Sequence, residues 1–401
     1  MLEHAKALVE PTAREVVERL LDRTGVQING PNPWDIEVHD DDLYARVLAH
    51  GSLGLGEAYM EGWWDAEALD VCLFRLMRAK LDLHVLGLDD AIAFARAHLE
   101  NLQKRSRAFE VGERHYNVGN DLYERMLGKR LVYSCAYFAD TDDLDEAQEA
   151  KLDRVCRKLG LEPGMRLLDV GCGWGETLKF AAERYGVEGV GVTVSSEQAR
   201  FARALCDGLP IDIRLQDYRE LNEGFDRIVS VGMFEHVGSK NYRRFMKTVR
   251  RCLVADGRFL LRTIGSNETT RGMDPWFDRY IFPNASLPSM VQIAEAVEGT
   301  FIVEDWENTG PDYDRTVMAW LERFEASWPE LSRATTQDDR AADDASRQAV
   351  EHSGARPKPT AKFDETFRRM WRYYLCASAA LFRARRAQLW SIVMSTGEVG
   401  L

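Results

Sequence analysis

The chain has no paired cysteines. Its seven cysteines are scattered and none forms a C-x-x-C. Such an odd, unpatterned set reads as reduced thiols in a cytosolic protein rather than as a disulfide framework. Histidine, cysteine and carboxylates do not recur at metal-ligand spacing, so no metal site is expected. No apolar run approaches the roughly 18 residues that would cross a bilayer. The opening MLEHAKALVEPTAREVV lacks the apolar core of a signal peptide. Basic residues are in deficit: 52 Lys and Arg against 65 Asp and Glu leave a formal charge of -13. That balance excludes wholesale nucleic-acid binding, and no N-P-P-Y base-methylation motif occurs. Any basic surface must act locally.

What is present is ample for a core: 401 residues, 45% hydrophobic, enough for two or three domains. The informative stretch is Met165-Arg-Leu-Leu-Asp-Val-Gly-Cys-Gly-Trp-Gly175. Leu167 to Val170 reads as a short buried strand, and Thr177 to Tyr185 carries helical spacing. Between them Gly171, Gly173 and Gly175 alternate. A backbone without Cβ atoms lets a ligand touch the chain at a helix start. The spacing is G-x-G-x-G, not the G-x-G-x-x-G that wraps a pyrophosphate. Asp169 sets a carboxylate just before the loop, which suits a cationic amino-acid end better than a phosphate. The donor that fits is S-adenosylmethionine, a sulfonium with no phosphate. The bland alternative, a plain strand-to-helix turn, is disfavoured by the flanking strand and helix.

In chain order, Thr12 to Thr24 reads as an amphipathic helix packed on its own domain. Gly30-Pro-Asn-Pro33 breaks the chain. Asp35 to Val38 reads as a strand and Asp42 to Ala49 as a helix. Gly51 to Trp64 is rich in glycine and aromatics, and Leu69 to Lys80 and Leu88 to Gln103 read as helices. Residues 1-100 are expected to form a small, mainly helical domain. A basic linker, 101-114, follows and includes Asn101 to Arg107. His115 to Tyr123 and Leu131 to Phe138 are dense in polar and aromatic groups and read as a pocket lid in a loop. Ala147 to Leu159 reads as a helix. Strands are expected at Gly189 to Thr193, Ile211 to Gln216, Phe225 to Val231 and Arg258 to Ile264. Helices are expected at Ser195 to Cys206 and Tyr242 to Cys252, and closing strands at Phe301 to Trp306 and Arg315 to Ala319. This alternation predicts a mostly parallel sheet with ligands at the strand C-terminal ends. Within a catalytic domain 115-401, the polar stretch 332-360 is expected to be a disordered insert ending in Arg356-Pro-Lys-Pro359. Phe363 to Met394 interleaves arginines with aromatics. It reads first as a helix pair packed on the sheet, and second as a contact for an acidic membrane surface; RNA is also compatible with it.

The motifs GSLGLGEAYMEGWW, HYNVGNDLY, YSCAYF, LLDVGCGWG, GVTVSSEQ, RIVSVGMFEHVG, TIGS, DPWFDRYIFPN, EDWENTGPDYDRT and FRARRAQLW occur in this order over nearly the whole chain. Together they resemble the cyclopropane-fatty-acyl-phospholipid synthases, relatives of the mycolic acid cyclopropane synthases. The resemblance implies a Rossmann-like methyltransferase domain with a seven-stranded, mostly parallel sheet, a small N-terminal domain and a homodimer. It implies an enzyme at the inner face of the cytoplasmic membrane that uses S-adenosylmethionine. Such an enzyme delivers a methylene to the cis double bond of phospholipid acyl chains, with bound bicarbonate taking up the proton.

Carried over residue by residue, the resemblance sets Gly171, Cys172 and Gly173 against the methionine part of the donor, with Asp169 nearby. Tyr133 and Ser134 close over it. Thr193 to Gln198 stands where many methyltransferases place a ribose-binding acid, with Gln198 as the ribose contact. Gln216, Asp217 and Tyr218 flank the adenine, Tyr218 having a core aromatic as its alternative. For bicarbonate it nominates Cys135, Glu235, Arg262, the backbone of Ile264, and Tyr313. A salt bridge for Glu235 and a plain buried thiol for Cys135 are the structural alternatives, and His236 reads as a packing or supporting histidine, with a general base as its alternative. Two departures stand out. Arg262 replaces a common histidine, and arginine grips an anion but does not give up its proton. Ser378 falls where the family commonly has a cysteine, while Cys376 lies two residues earlier on another helical face. A related methyltransferase that adds a branch without closing a ring, and a lipid-binding protein without catalysis, are the alternatives.

Overall fold

The computed structural model describes residues 11–81, 120–270, 272–350 and 363–397. The expected helix Leu88 to Gln103, the linker 101-114, His115 to Gly119 and Arg356-Pro-Lys-Pro359 lie outside the described residues. The N-terminal part packs helices α1 (Ala13–Leu21), α2 (Asp42–Met60) and α3 (Leu69–Arg78) with a two-residue antiparallel ladder, β1 (Glu37–Val38) against β2 (Trp64–Asp65). Thr12 caps α1 reciprocally: its Oγ1 accepts from the Glu15 amide at 3.3 Å, and the Glu15 carboxylate accepts from the Thr12 amide at 2.9 Å. The glycine-rich stretch continues α2 past Ala49, with a kink at Gly51 (φ 55°, ψ -131°) that only glycine adopts readily.

Beyond the undescribed linker come α4 (Asn120–Leu127), α5 (Leu144–Leu159), β3 (Arg166–Val170), α6 (Glu176–Tyr185), β4 (Glu188–Thr193), α7 (Ser196–Leu205), β5 (Ile211–Leu215) and β6 (Phe225–Val231). They are followed by α8 (Tyr242–Cys252), β7 (Leu253–Gly265), α9 (Pro275–Tyr280), α10 (Met290–Val297), β8 (Ile302–Asn308), α11 (Gly310–Val350), α12 (Glu365–Arg383) and β9 (Gln388–Ser395). Strands β3 to β9 make one seven-stranded sheet in the order β5-β4-β3-β6-β7-β9-β8. The β5-β4-β3-β6-β7 pairs are parallel, while β9 runs antiparallel to both β7 and β8.

Two expectations are corrected, at Arg315 to Ala319 and at Phe363 to Met394. Arg315 to Ala319 is helix, not strand: Val317, Trp320, Phe324, Trp328 and Leu331 recur at three- and four-residue steps and are all buried along α11. α11 runs on to Val350, through the first part of the stretch expected to be disordered. Phe363 to Met394 is one helix and one strand, not a helix pair. Gln388 to Met394 are all buried because β9 lies inside the sheet, where an apolar, β-branched and aromatic run belongs. Leu131 to Phe138 is a loop, as expected, with Val132, Cys135, Ala136 and Phe138 buried in the interior.

One apolar cluster crosses from the N-terminal helices into the part that carries the seven-stranded sheet, joining Leu43, Tyr59 and Trp64 to Trp276, Trp371 and Tyr373. The Tyr59 and Tyr373 rings lie 5.5 Å apart, and Trp276 and Tyr373 4.6 Å apart. Arginines of α12 tie the same seam. Arg383 bridges Asp70 and Asp314 at 2.8 Å each, and Arg369 reaches Asp65 at 2.8 Å and the Trp64 carbonyl at 2.9 Å.

Candidate active site

From β3 the chain steps outward to β4 and β5, then returns to β6 on the other side of β3. Strand order reverses there, so the connecting loops diverge and leave a crevice at the carboxyl ends of β3 and β6. The glycine loop follows β3. Gly171 has φ 87°, and a Cβ there would meet Met233 Cγ at 2.6 Å. Its amide and that of Cys172 both donate to the Val192 carbonyl, at 2.9 and 3.1 Å, which folds the loop back over β4.

A cavity of about 230 Å³ opens over this loop. Asp169, Gly171, Cys172 and Gly173 line one part of it, Thr193 and Gln198 another, and Gln216, Asp217 and Tyr218 a third. Tyr133 and Ser134 complete the wall. Thr193 Oγ1 donates to Gln198 Oε1 at 3.0 Å, and Ser195 caps α7 by accepting from the Gln198 amide at 3.3 Å. Asp217 is held by Arg219, whose Nε donates to both carboxylate oxygens at 2.8 and 3.0 Å. Asp169 is buried and its Oδ1 has no hydrogen-bond partner. Burial pushes its carboxyl up to about 7, against the pull of Lys151.

A second cavity, of about 570 Å³, lies alongside. It is mainly apolar and takes its walls from both parts of the chain: Leu43, Val47 and Leu73 from α2 and α3, and Tyr374, Leu381 and Leu389 from the C-terminal segment. Cys135, Glu235, Arg262, Ile264, Tyr313 and Ser378 also line it. Glu235 is 5% exposed. Its Oε1 accepts from the Ile264 amide at 2.7 Å while Oε2 has no partner, and burial pushes the acid up to about 7. Among the described residues no arginine pairs with it. Arg262 is 4% exposed, and its buried Nε also lacks a partner. Cys135 donates to the Ala136 carbonyl at 3.1 Å and accepts from Thr316 Oγ1 at 3.7 Å; burial raises its thiol to about 11. Cys376 does not line the cavity. It sits in the apolar cluster with its thiol pushed up to about 12, so the serine at 378 faces the cavity where the cysteine does not.

The two cavities share Tyr133, Ser134, Val231, Gly232 and His236. His236 is therefore part of the common wall, not only a packing residue. The buried 131–138 segment is that wall, held from behind by side chains the sequence reading missed. Gln148 Nε2 donates to the Ser134 carbonyl at 2.9 Å, and Thr316 Oγ1 accepts from the Ala136 amide at 3.0 Å. Lys151, 1% exposed, donates from Nζ to Ser134 Oγ at 3.1 Å. Burial first, then Arg262, brings its ammonium down to about 7. A signal was present: Gln148 and Lys151 interrupt the apolar stripe Ala147, Leu152, Val155, Leu159 of α5 at helical spacing.

Residues 103–343 match the family model for mycolic acid cyclopropane synthetase. The chain belongs to that family. It is 49% identical over 388 residues to the cyclopropane-fatty-acyl-phospholipid synthase of Escherichia coli (strain K12), a match covering 96% of this chain and 94% of that one. It is 31% identical over 406 residues to the tuberculostearic acid methyltransferase UfaA1 of Mycobacterium tuberculosis, covering 95% and 88%. The crystal structure of mycolic acid cyclopropane synthase CmaA1 complexed with SAH and CTAB is 31% identical, with a TM-score of 0.58 over 71% of this chain and 97% of that one. The family member described here is thus an S-adenosylmethionine-dependent methyltransferase with the Rossmann-like fold of that class.

Proposed function

We propose that this enzyme delivers a methylene to the cis double bond of a phospholipid acyl chain and closes a cyclopropane ring. The observation that carries the reading is the shared wall: a cavity over the glycine loop abuts a long apolar cavity, with Tyr133, Ser134, Val231, Gly232 and His236 common to both. S-adenosylmethionine supplies the methyl carbon when bound. The donor side fits it: Asp169 offers a buried, unpartnered carboxylate oxygen toward a cationic group, and the loop carries no phosphate cradle. Gly171 to Gly173 take the methionine part, Gln198 the ribose, and Gln216, Asp217 and Tyr218 the adenine. Tyr133 and Ser134 separate that ligand from bulk water.

An alkene is a weak nucleophile, and adding a methyl to it leaves a cationic carbon. Aromatic faces such as Tyr313 and Phe382, whose centroids lie 4.4 Å apart, tolerate that charge. Ring closure then needs a proton removed from the new methyl group. Bicarbonate, when bound, supplies that base. The unpartnered Glu235 Oε2 and Arg262 Nε fit a small anion that carries one hydroxyl: the guanidinium takes the charge, and Glu235 accepts the hydroxyl or shares its proton. Tyr313, raised far enough to stay protonated, acts as a donor, while the Cys135 thiol, also protonated, holds to the Ala136 carbonyl. Arg262 holds the anion but cannot relay its proton.

Among the described residues no helix is long and apolar enough to cross a membrane, so on this reading the acyl chain is drawn out of the lipid and into the larger cavity. The test is incubation with S-adenosylmethionine and a mono-unsaturated phospholipid, read by proton NMR. Loss of olefinic protons with gain of upfield ring protons is expected. Mass alone does not decide, because a branched alkene is isomeric with the cyclopropane. Retained unsaturation on a branched carbon would establish the runner-up, methylation without ring closure, which the Arg262 replacement favours. Failure to bind S-adenosylmethionine in calorimetry would overturn both.

A further inference from the structure

We infer that the rim of the larger cavity is a subsite for the phosphodiester of the lipid whose acyl chain the cavity holds; this rests on the acyl-chain reading above. The cavity is apolar inside, yet Lys80, Arg385 and Arg386 all line it. They come from two separate places in the sequence, just past the ends of α3 and α12. The two places meet at the end of α3: Met77 O accepts from the Lys80 backbone amide at 3.0 Å and from Arg386 Nη1 at 3.3 Å. Arg385 is exposed, and its guanidinium makes no ion pair or hydrogen bond among the described residues. That sets it apart from Arg368, Arg369 and Arg383 of α12, which are all engaged by carboxylates. Lys80 reaches Glu268 at 3.7 Å with both side chains more than half exposed, so water and salt screen that pair.

In a chain of formal charge -13, a cavity lining that sets Lys80, Arg385 and Arg386 against the carboxylates of Glu268 and Asp274 holds a local excess of positive charge. An acyl chain inside the cavity leaves its polar end at that mouth. A phosphodiester, singly charged and rich in acceptor oxygens, matches guanidinium and ammonium donors there. A neutral lipid with the same acyl chains gains nothing from them. The subsite therefore selects phospholipids over diacylglycerols and sets the depth to which the double bond is drawn in.

The test uses the full chain in neutral detergent micelles with mono-unsaturated phosphatidylglycerol, or with the diacylglycerol bearing the same chains. Arg385→Gln is expected to raise KM for the phospholipid roughly fivefold, and Lys80→Gln with Arg385→Gln roughly twenty-five-fold. The S-adenosylmethionine affinity and the diacylglycerol kinetics should stay within about twofold of wild type. Equal weakening on both lipids, or an unchanged phospholipid KM, overturns the proposal. So does restoration of diacylglycerol turnover by millimolar inorganic phosphate, since the cluster would then take a free anion. Val47→Trp, which obstructs the cavity itself, separates the two readings. If it spares turnover of both lipids the acyl-chain reading fails; if it blocks turnover while Arg385→Gln is silent, only the subsite fails.

Discussion

At the scale of single residues, the site is built from groups that burial leaves unsatisfied. Glu235 Oε2 and Arg262 Nε lack partners, although an unpaired buried polar atom costs about 1–3 kcal/mol. A ligand that supplies both partners recovers that cost on binding. Glu235 also makes stability depend on pH. Its folded value is raised to about 7 from 4.5, so between those values the folded chain holds a proton that the unfolded chain has released. The contribution is fully present below 4.5 and is lost as pH rises through 7, on the order of 3 kcal/mol. Glu235→Gln is expected to flatten that part of the stability curve in denaturant titrations from pH 4.5 to 7. It should also lower turnover at least about a hundredfold while leaving donor affinity nearly unchanged. A variant with wild-type turnover would remove Glu235 from the reaction.

At the scale of elements, β9 decides more than its length indicates. It lies between β7 and β8, and Arg262 to Gly265 pair across it with Ser391 to Gln388. The strand that carries Arg262 and Ile264 is thus held in register by the last strand of the fold. Gly265 is where that register is tightest, because a Cβ there would run into the Trp390 ring. Gly265→Ala should cost about 1–3 kcal/mol through overpacking and lower Tm by roughly 1–4 °C. Calorimetry checks it, and an unchanged Tm would mean that the seam relaxes freely. α5 has a comparable role from behind: Gln148 and Lys151 fix the Ser134 segment that both cavities share.

For the whole molecule, the N-terminal helices are not a separate cap. They supply one wall of the larger cavity, and their core is continuous with that of the catalytic part. Burying rings such as Trp64, Trp276 and Trp371 contributes about 1.5–3 kcal/mol each on either side of the seam. One cooperative unfolding transition is therefore expected, with tryptophan fluorescence and far-UV circular dichroism changing together. Two separated transitions would show that the seam is weaker than its packing indicates.

The sequence alone determined the sheet's nucleotide-binding half. Strand, alternating glycines and helix are local signals, and Leu167 to Gly175 carry them within about ten residues. The family motifs then nominated donor-side residues that all line the smaller cavity, and anion-side residues that all line the larger one. Only the tertiary structure decided the rest. Arg315 to Ala319 and Gln388 to Ser395 exchanged expected states because burial on both sides, not local pattern, makes a strand central or a helix long. Lys151 and Gln148 became visible only when α5 turned its polar residues inward onto Ser134. The meeting of the two cavities, and the convergence of Lys80 with Arg385 and Arg386, join positions about 300 residues apart. Such contacts follow from how elements pack, and no spacing along the chain encodes them.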